Sequence, residues 1–271
     1  MHGTAPPDPP PVLLAGLARV RLHDPLFISD LHLNAGAPAT LARFLRFCDE
    51  DAPARAELVI LGDLFEYWIG DDTLDDETDA VSRTVAAALR TLTAGGVRVY
   101  VMHGNRDLLL GAGFLRATGA QLLADPALAD IAGREVLLAH GDAWCTQDIE
   151  YMRFRASVRQ ESTQRQFLAS PRAARLAFMG AARAQSEAGK RSKAMEIMDV
   201  TPAAVDDALR ANGMRLLVHG HTHRPAVHRF TLDGASAERW VLPDWDLDSQ
   251  PVRGGYLDAG SQGWRVAAMT R

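Results

Sequence analysis

A chain of 271 residues, 47% hydrophobic and 23% charged, has the composition of an ordinary folded protein, which excludes a disordered or low-complexity polymer. Its formal net charge of −5 gives no global reason to expect nucleic acid as a partner. Cys48 and Cys145 stand in no metal-ligand or redox spacing, which argues against a disulfide framework and for a reducing cytoplasm.

In chain order, residues 1–24 read as an extension that is partly unstructured. Its start, "MHGTAPPDPPPVLLAGLARV", is Pro-rich and has Asp8 where a signal peptide would be basic, and its apolar piece is short. No later segment approaches the roughly 18 consecutive apolar residues of a membrane span, so a soluble or at most peripherally attached protein is expected. Five short runs rich in Val, Ile and Leu then each end in a polar cluster: "PLFISDLHL", "ELVILGDLFEYW", "VRVYVMHGNRD", "EVLLAHGD" and "MRLLVHGHTH". Each is strand-like, and helical patterns such as "TLARFLRFCDE" and "TDAVSRTVAAALRTLTAGG" separate the first three. This β-α-β-α-β rhythm predicts one α/β body over residues 25–148 and 201–271, with loops from the carboxyl ends of the strands meeting on one rim.

Residues 149–200 break that rhythm. They contain no strand-like run, show helical spacing and read as a helical cap inserted into the body. Ten basic residues (Arg153, Arg155, Arg159, Arg165, Arg172, Arg175, Arg183, Lys190, Arg191, Lys193) face five acids, a local positive excess in an acidic chain. With Phe167, Leu168, Leu176, Phe178 and Met179, this segment could meet a ligand that is both anionic and apolar, or rest on an anionic membrane surface. A solvated amphipathic helix pair is the commoner use of such a pattern. Beyond Arg224, "AVHRF", "ERWVLP", "GGYLDA" and "GWRVAA" predict antiparallel strands that close the body.

The polar residues at the five strand exits are Asp30 and His32; Asp63; Asn105, Arg106 and Asp107; His140; His221 and His223. Taken singly they are weak signals. Asp-x-His after a strand is more often a capping pair, "GNRD" a polar turn, and a lone buried histidine such as His140 a satisfied core residue. Their coincidence at five exits is what points to metal. Carboxylate and imidazole without thiolate suit Mn²⁺, Fe²⁺ or Zn²⁺, and the ligands suffice for two ions. Two ions about 3.5–4 Å apart share a carboxylate, activate a bridging hydroxide and draw charge from a phosphoryl group. Asp63 is the expected bridge, Arg106 a donor to a phosphoryl oxygen, and Asp107 and Asp142 candidate orienters of ligand histidines.

The order Asp-x-His, Gly-Asp, Gly-Asn-Arg-Asp, His-Gly-Asp, Gly-His-Thr-His resembles that of the calcineurin-like metallophosphoesterases. The resemblance implies an α/β fold in which a two-sheet β sandwich is flanked by helices. It also implies one metal on Asp30, His32, Asp63 and His223 and a second on Asp63, Asn105, His140 and His221. The stretches "FISDLHL", "LGDLFEYWIGDD", "MHGNRDLLLG", "AHGDAWCTQDIEYMRFR", "IMDV" and "VHGHTHRPAVH" further resemble the UDP-2,3-diacylglucosamine pyrophosphatase family of lipid A biosynthesis. That resemblance implies hydrolysis of UDP-2,3-diacylglucosamine to UMP and 2,3-diacylglucosamine 1-phosphate, with Mn²⁺ as the favoured metal and a cap over the acyl chains. It places Asp63, Asn105, Arg106, His140 and His221 in catalysis, and Asn105, Arg106, Asp148, Tyr151, Ser186, Lys190, Lys193 and His221 on the substrate. The segment "SEAGKRSKAMEIMDV" departs from the family's pattern at Gly189, Lys190 and Arg191. The expected setting is the cytoplasmic face of the inner membrane, held peripherally, with no nucleic acid and no protein partner. A hydrolase of soluble nucleotides or dinucleoside polyphosphates, and a non-catalytic binding scaffold on the same fold, remain the competing readings.

Overall fold

Successive side chains of the apolar runs point into two different cores, which is why those runs are apolar without alternation. The computed structural model describes residues 16–190, 199–260 and 263–269. Its elements begin with β1 (Leu17–Leu22), β2 (Pro25–Ile28), α1 (Pro38–Arg46), β3 (Glu57–Leu61), α2 (Ala80–Ala94), β4 (Arg98–Met102), α3 (Ala112–Thr118), β5 (Gln121–Ile131) and β6 (Arg134–Ala139). Three helices follow, α4 (Ile149–Val158), α5 (Glu161–Leu168) and α6 (Arg172–Lys190). The chain then returns through α7 (Pro202–Asn212), β7 (Leu216–His219), β8 (Ala226–Leu232), β9 (Ala235–Val241), β10 (Gly255–Asp258) and β11 (Arg265–Ala268).

The strands hydrogen-bond in the order β11, β10, β2, β3, β4, β5, β6, β7, β9, β8, with β1 alongside β5. Strands β2, β3 and β4 run parallel, as do β6, β7 and β9. Strand β5 belongs to both sets: Gln121 to Leu123 pair with β4, and Ala127 to Ile131 pair antiparallel with β6. The two expected layers are therefore halves of one ladder that turns at β5. Their inner faces share a core containing Phe27, Val59, Leu61, Tyr100 and Met102 from one half and Val136, Leu138, Leu216, Val218 and Trp240 from the other. The alternate residues face outward. Leu26, Ile28, Leu58, Ile60, Val99 and Val101 pack with Phe44 of α1, Val85 and Leu89 of α2 and Phe114 of α3, while Leu137 and Leu217 pack with Val205 and Leu209 of α7.

Local chemistry sets the helix ends. Asp79 caps α2 by accepting a hydrogen bond from Ser82 N at 3.0 Å, and α7 starts on Pro202 and stops at Gly213, whose φ of 66° suits glycine. Two strands lie outside the sequence-based expectation. β1 occupies part of the 1–24 extension, and β5 contains Pro126, which falls in the gap between its two ladders where no partner needs its missing N–H.

The helices of residues 149–190 attach through charge. Arg155 and Arg159 reach Asp142, Arg172 reaches Asp76, and the buried Arg175 pairs with Asp72 and donates to Ile69 O. Much of the local basic excess thus docks these helices on acids of the body. Four of their apolar side chains are left outward, with Ile149 55%, Phe154 47%, Leu176 41% and Phe178 57% exposed, while Phe167 and Leu168 are half-buried. Among the described residues no helix is long and apolar enough to cross a membrane.

Candidate metal centre

The residues at the five strand exits meet on one rim because the exits hook onto one another. Leu31 N and His32 N both donate to Asp63 O, at 2.9 and 3.0 Å, Asp30 N donates to Gly62 O, and Gly220 N donates to His140 O at 2.9 Å. Two glycines make this approach possible. A Cβ on Gly104 would collide with Asp63, and one on Gly220 would collide with Asp30 and Ser29. Asp30, His32, Asp63, His221 and His223 all adopt left-handed backbone, with φ between 49° and 68°. Non-glycine residues rarely do so, and such strain gathers where side chains must be aimed.

The aimed side chains form two adjacent groups. Asp30, His32 and His223 make one and Asp63, His140 and His221 the other, with the donor atoms of each group within 4.8 Å of one another. His32 Nε2 lies 3.2 Å from His223 Nε2, and His223 Nε2 lies 3.5 Å from Asp30 Oδ1. Asp63 Oδ2 stands between the groups, 3.9 Å from His32 Nε2 and 3.7 Å from His140 Nε2. Asn105 Oδ1 completes the second group, 3.0 Å from His140 Nε2. The seven residues that the resemblance implies as metal ligands are thus brought together.

Burial and mutual charge shift the cluster's groups in opposite directions. Burial pushes Asp63 up to about 7, with Asp107 and Asp30 adding to the shift against His140. Asp30 is held far below the usual carboxylate range, because His223, His140 and His32 outweigh the effect of burial. Burial would lower His140, but Asp63, Asp30, Asp142 and Asp125 push it up to about 9, whereas burial and His140 bring His221 down to about 3. His140 donates its Nδ1–H to Leu61 O at 2.9 Å, so Nε2 is the ring atom turned toward Asn105 Oδ1 and Asp63 Oδ2, available to a proton or to a metal ion. Asp30 Oδ1 is buried and takes no hydrogen bond. Carboxylate, amide and imidazole atoms that converge in a dry site need positive charge among them, which protons or a metal ion can supply. Bonds of about 2 Å from a divalent ion reach donors spaced as these are, and carboxylate, imidazole and amide oxygen form the donor set of a hard-to-borderline cation. The residues fit divalent metal.

Around this cluster the structure corrects some expectations. Asp107 orients no histidine; its carboxylate accepts from Asp63 N, Leu64 N and Gly104 N at 3.2, 2.8 and 2.9 Å, fixing the loops that carry Asp63 and Asn105. Asp142 accepts instead from Tyr151 Oη at 2.7 Å, Arg155 Nε at 2.8 Å and Arg159 Nη2 at 3.3 Å. The carboxylates beside histidine Nδ1 atoms are Asp244, 3.5 Å from His223, and Glu66, 3.8 Å from His32. Neither was expected, since "FEYW" and "PDWDLD" carry no ligand spacing. Arg106 lies at the rim, its Nη1 3.5 Å from Glu66 and its backbone N donating to Asp63 Oδ1 at 2.8 Å.

Asp148 and Tyr151 both belong to the start of α4. Asp148 is the N-cap of α4, accepting from Tyr151 N at 3.0 Å, while the Tyr151 ring sits 5.8 Å from that of His221. Ser186 and Lys190 lie along α6, and Lys193 lies outside the described residues. His219, the remaining histidine of "VHGHTH", is a core residue that donates to Gly220 O at 2.8 Å and meets Arg239 at 3.3 Å.

Residues 25–225 match the family model described as calcineurin-like phosphoesterase. A protein of Ralstonia nicotianae named UDP-2,3-diacylglucosamine hydrolase is 49% identical over 249 residues, covering 88% of this chain and 90% of its own length. Proteins with the same name are 50% identical in Chromohalobacter salexigens, covering 84% of this chain and 90% of theirs, and 46% identical in Pseudomonas aeruginosa, covering 89% and 97%.

Proposed function

From the premise that this chain belongs to the calcineurin-like phosphoesterase family, we propose that it hydrolyses the diphosphate of UDP-2,3-diacylglucosamine to UMP and 2,3-diacylglucosamine 1-phosphate. The observation that carries this reading is the pair of adjacent ligand groups with Asp63 between them, in a chain 46–50% identical to hydrolases named for that substrate. Bound divalent ions supply an activated water and neutralise charge on the phosphoryl oxygens. Asp30, His32, Asp63 and His223 would hold one ion, and Asp63, Asn105, His140 and His221 the other.

The chain's own groups do the rest. Asp107 pins the backbone of the Asp63 and Asn105 loops, so both ligands are set before substrate arrives. Arg106 offers guanidinium donors at the rim, where a phosphoryl oxygen gains charge. Tyr151 walls the His221 side of the site, and the family resemblance assigns Asp148, Ser186, Lys190 and Lys193 to the substrate as well. A hydrolase of soluble nucleotides would pack its apolar cap residues into a core. Phe154, Leu176 and Phe178 are instead exposed, which favours an acylated substrate and peripheral seating on the cytoplasmic face of the inner membrane. Mn²⁺ is the proposed resident ion.

The test is turnover of UDP-2,3-diacylglucosamine beside bis-p-nitrophenyl phosphate and a dinucleoside polyphosphate, before and after chelation and Mn²⁺ replacement. The reading expects strong preference for the lipid-linked compound, loss on chelation and recovery with Mn²⁺. Faster turnover of a soluble compound, or full activity after exhaustive chelation, would refute it.

A further inference from the structure

We propose that Asp244 is a positioning residue: with Arg253 behind it, its carboxylate holds His223 in the orientation and tautomer that ligation needs. This rests on the metal-centre reading above. Asp244 is buried, 2% exposed, in the segment after β9. Its Oδ2 lies 3.5 Å from His223 Nδ1 and receives Arg253 Nε at 2.9 Å, while its Oδ1 is buried without a hydrogen bond. A buried carboxylate is costly unless it is paired, and the groups that meet Asp244 Oδ2 are His223 and Arg253.

The segment is registered on both strands that feed the first ligand group. Leu242 N donates to His219 O at 2.8 Å, two residues before Asp244, and Trp245 N donates to Asp30 O at 3.0 Å, one residue after it. Arg253 is fixed in turn. Its backbone and that of Asp246 exchange two hydrogen bonds of 2.9 Å, and its Nη2 donates to Asp246 Oδ2 at 3.1 Å. Asp244 therefore has little freedom to leave the imidazole. With Nδ1–H directed at Asp244, the lone pair of His223 is confined to Nε2, the atom that faces Asp30 and His32. His140 achieves the same end with a backbone carbonyl, Leu61 O. His223 sits on a loop whose neighbouring carbonyls are taken by Thr222 and Leu242, and it takes a side chain as its support.

The experiment is calorimetric titration of Mn²⁺ into the wild-type protein, Asp244→Ala and Asp244→Asn, with melting curves and steady-state kinetics on UDP-2,3-diacylglucosamine. We expect two binding steps in the wild type, and in Asp244→Ala one of them weakened by about 10–100-fold, the usual cost of removing such a support. Asp244→Asn should recover part of that loss, because its amide oxygen still accepts Nδ1–H. In both variants kcat should fall with KM nearly unchanged. Wild-type affinity in both steps of Asp244→Ala overturns the proposal, as do equal losses in the two variants that simply follow the melting temperature. Should the alanine variant not fold, Asp244→Asn decides alone: one weakened step supports the role and two unchanged steps reject it. A wild-type protein that binds no Mn²⁺ sinks the metal-centre reading itself.

Discussion

Asp63 is within 4 Å of a histidine from each ligand group, so its carboxylate has no substitute. Asp63→Ala is expected to abolish turnover while leaving the far-ultraviolet circular dichroism unchanged; near-normal activity would remove Asp63 from its place between the groups. Asp107→Ala should behave differently, because it strips acceptors from buried backbone amides of Asp63, Leu64 and Gly104. A loss of about 3 kcal/mol or more in urea unfolding is expected, along with activity. The cysteines offer a negative control. Burial raises both thiols, Cys145 to about 12, so iodoacetamide should label neither at pH 7.5 in the folded protein and both in urea. The seven ligand candidates were legible in the sequence because each lies within a few residues of an apolar run. Asp244 and Glu66 were not, because a carboxylate behind an imidazole is a relation in space: His223 and Asp244 are near in sequence but reached by way of the β8–β9 hairpin, and His32 and Glu66 lie on different strand exits.

At the scale of elements, strands buried on both faces announced themselves as unbroken apolar runs, and β2, β3, β4, β6 and β7 were readable for that reason. β5 was hidden by Pro126 and by acids at 125 and 130, which the turn between its two ladders and the Arg155 and Arg159 side chains near Asp125 accommodate. β1 was hidden beside a Pro-rich start. Helix termini follow local rules closely enough to support a number. Asp79→Ala removes the cap of α2 and should cost about 1 kcal/mol, a fall of roughly 2–4 °C in Tm by calorimetry, with activity retained. The basic surplus of residues 149–200 was legible only as a sum. Composition showed the charge but not its partners, and Asp72, Asp76 and Asp142 take up arginines that an anionic ligand would otherwise meet.

For the whole molecule, the two halves of the ladder divide the ligands between them. Asp30, His32, Asp63 and Asn105 leave β2, β3 and β4, whereas His140, His221 and His223 leave β6 and β7. Each ligand group therefore draws on both halves, which share β5 among the described strands and are tied again at the rim by Trp245 N on Asp30 O. The centre works like the contact points of a pair of tongs hinged at β5 and held shut by a few rim hydrogen bonds: a slip of about an ångström along the apolar seam would separate the tips while each blade stays intact. Heating should accordingly silence the enzyme before its ellipticity begins to fall, and a ligand that grips both tips should bring the two events together.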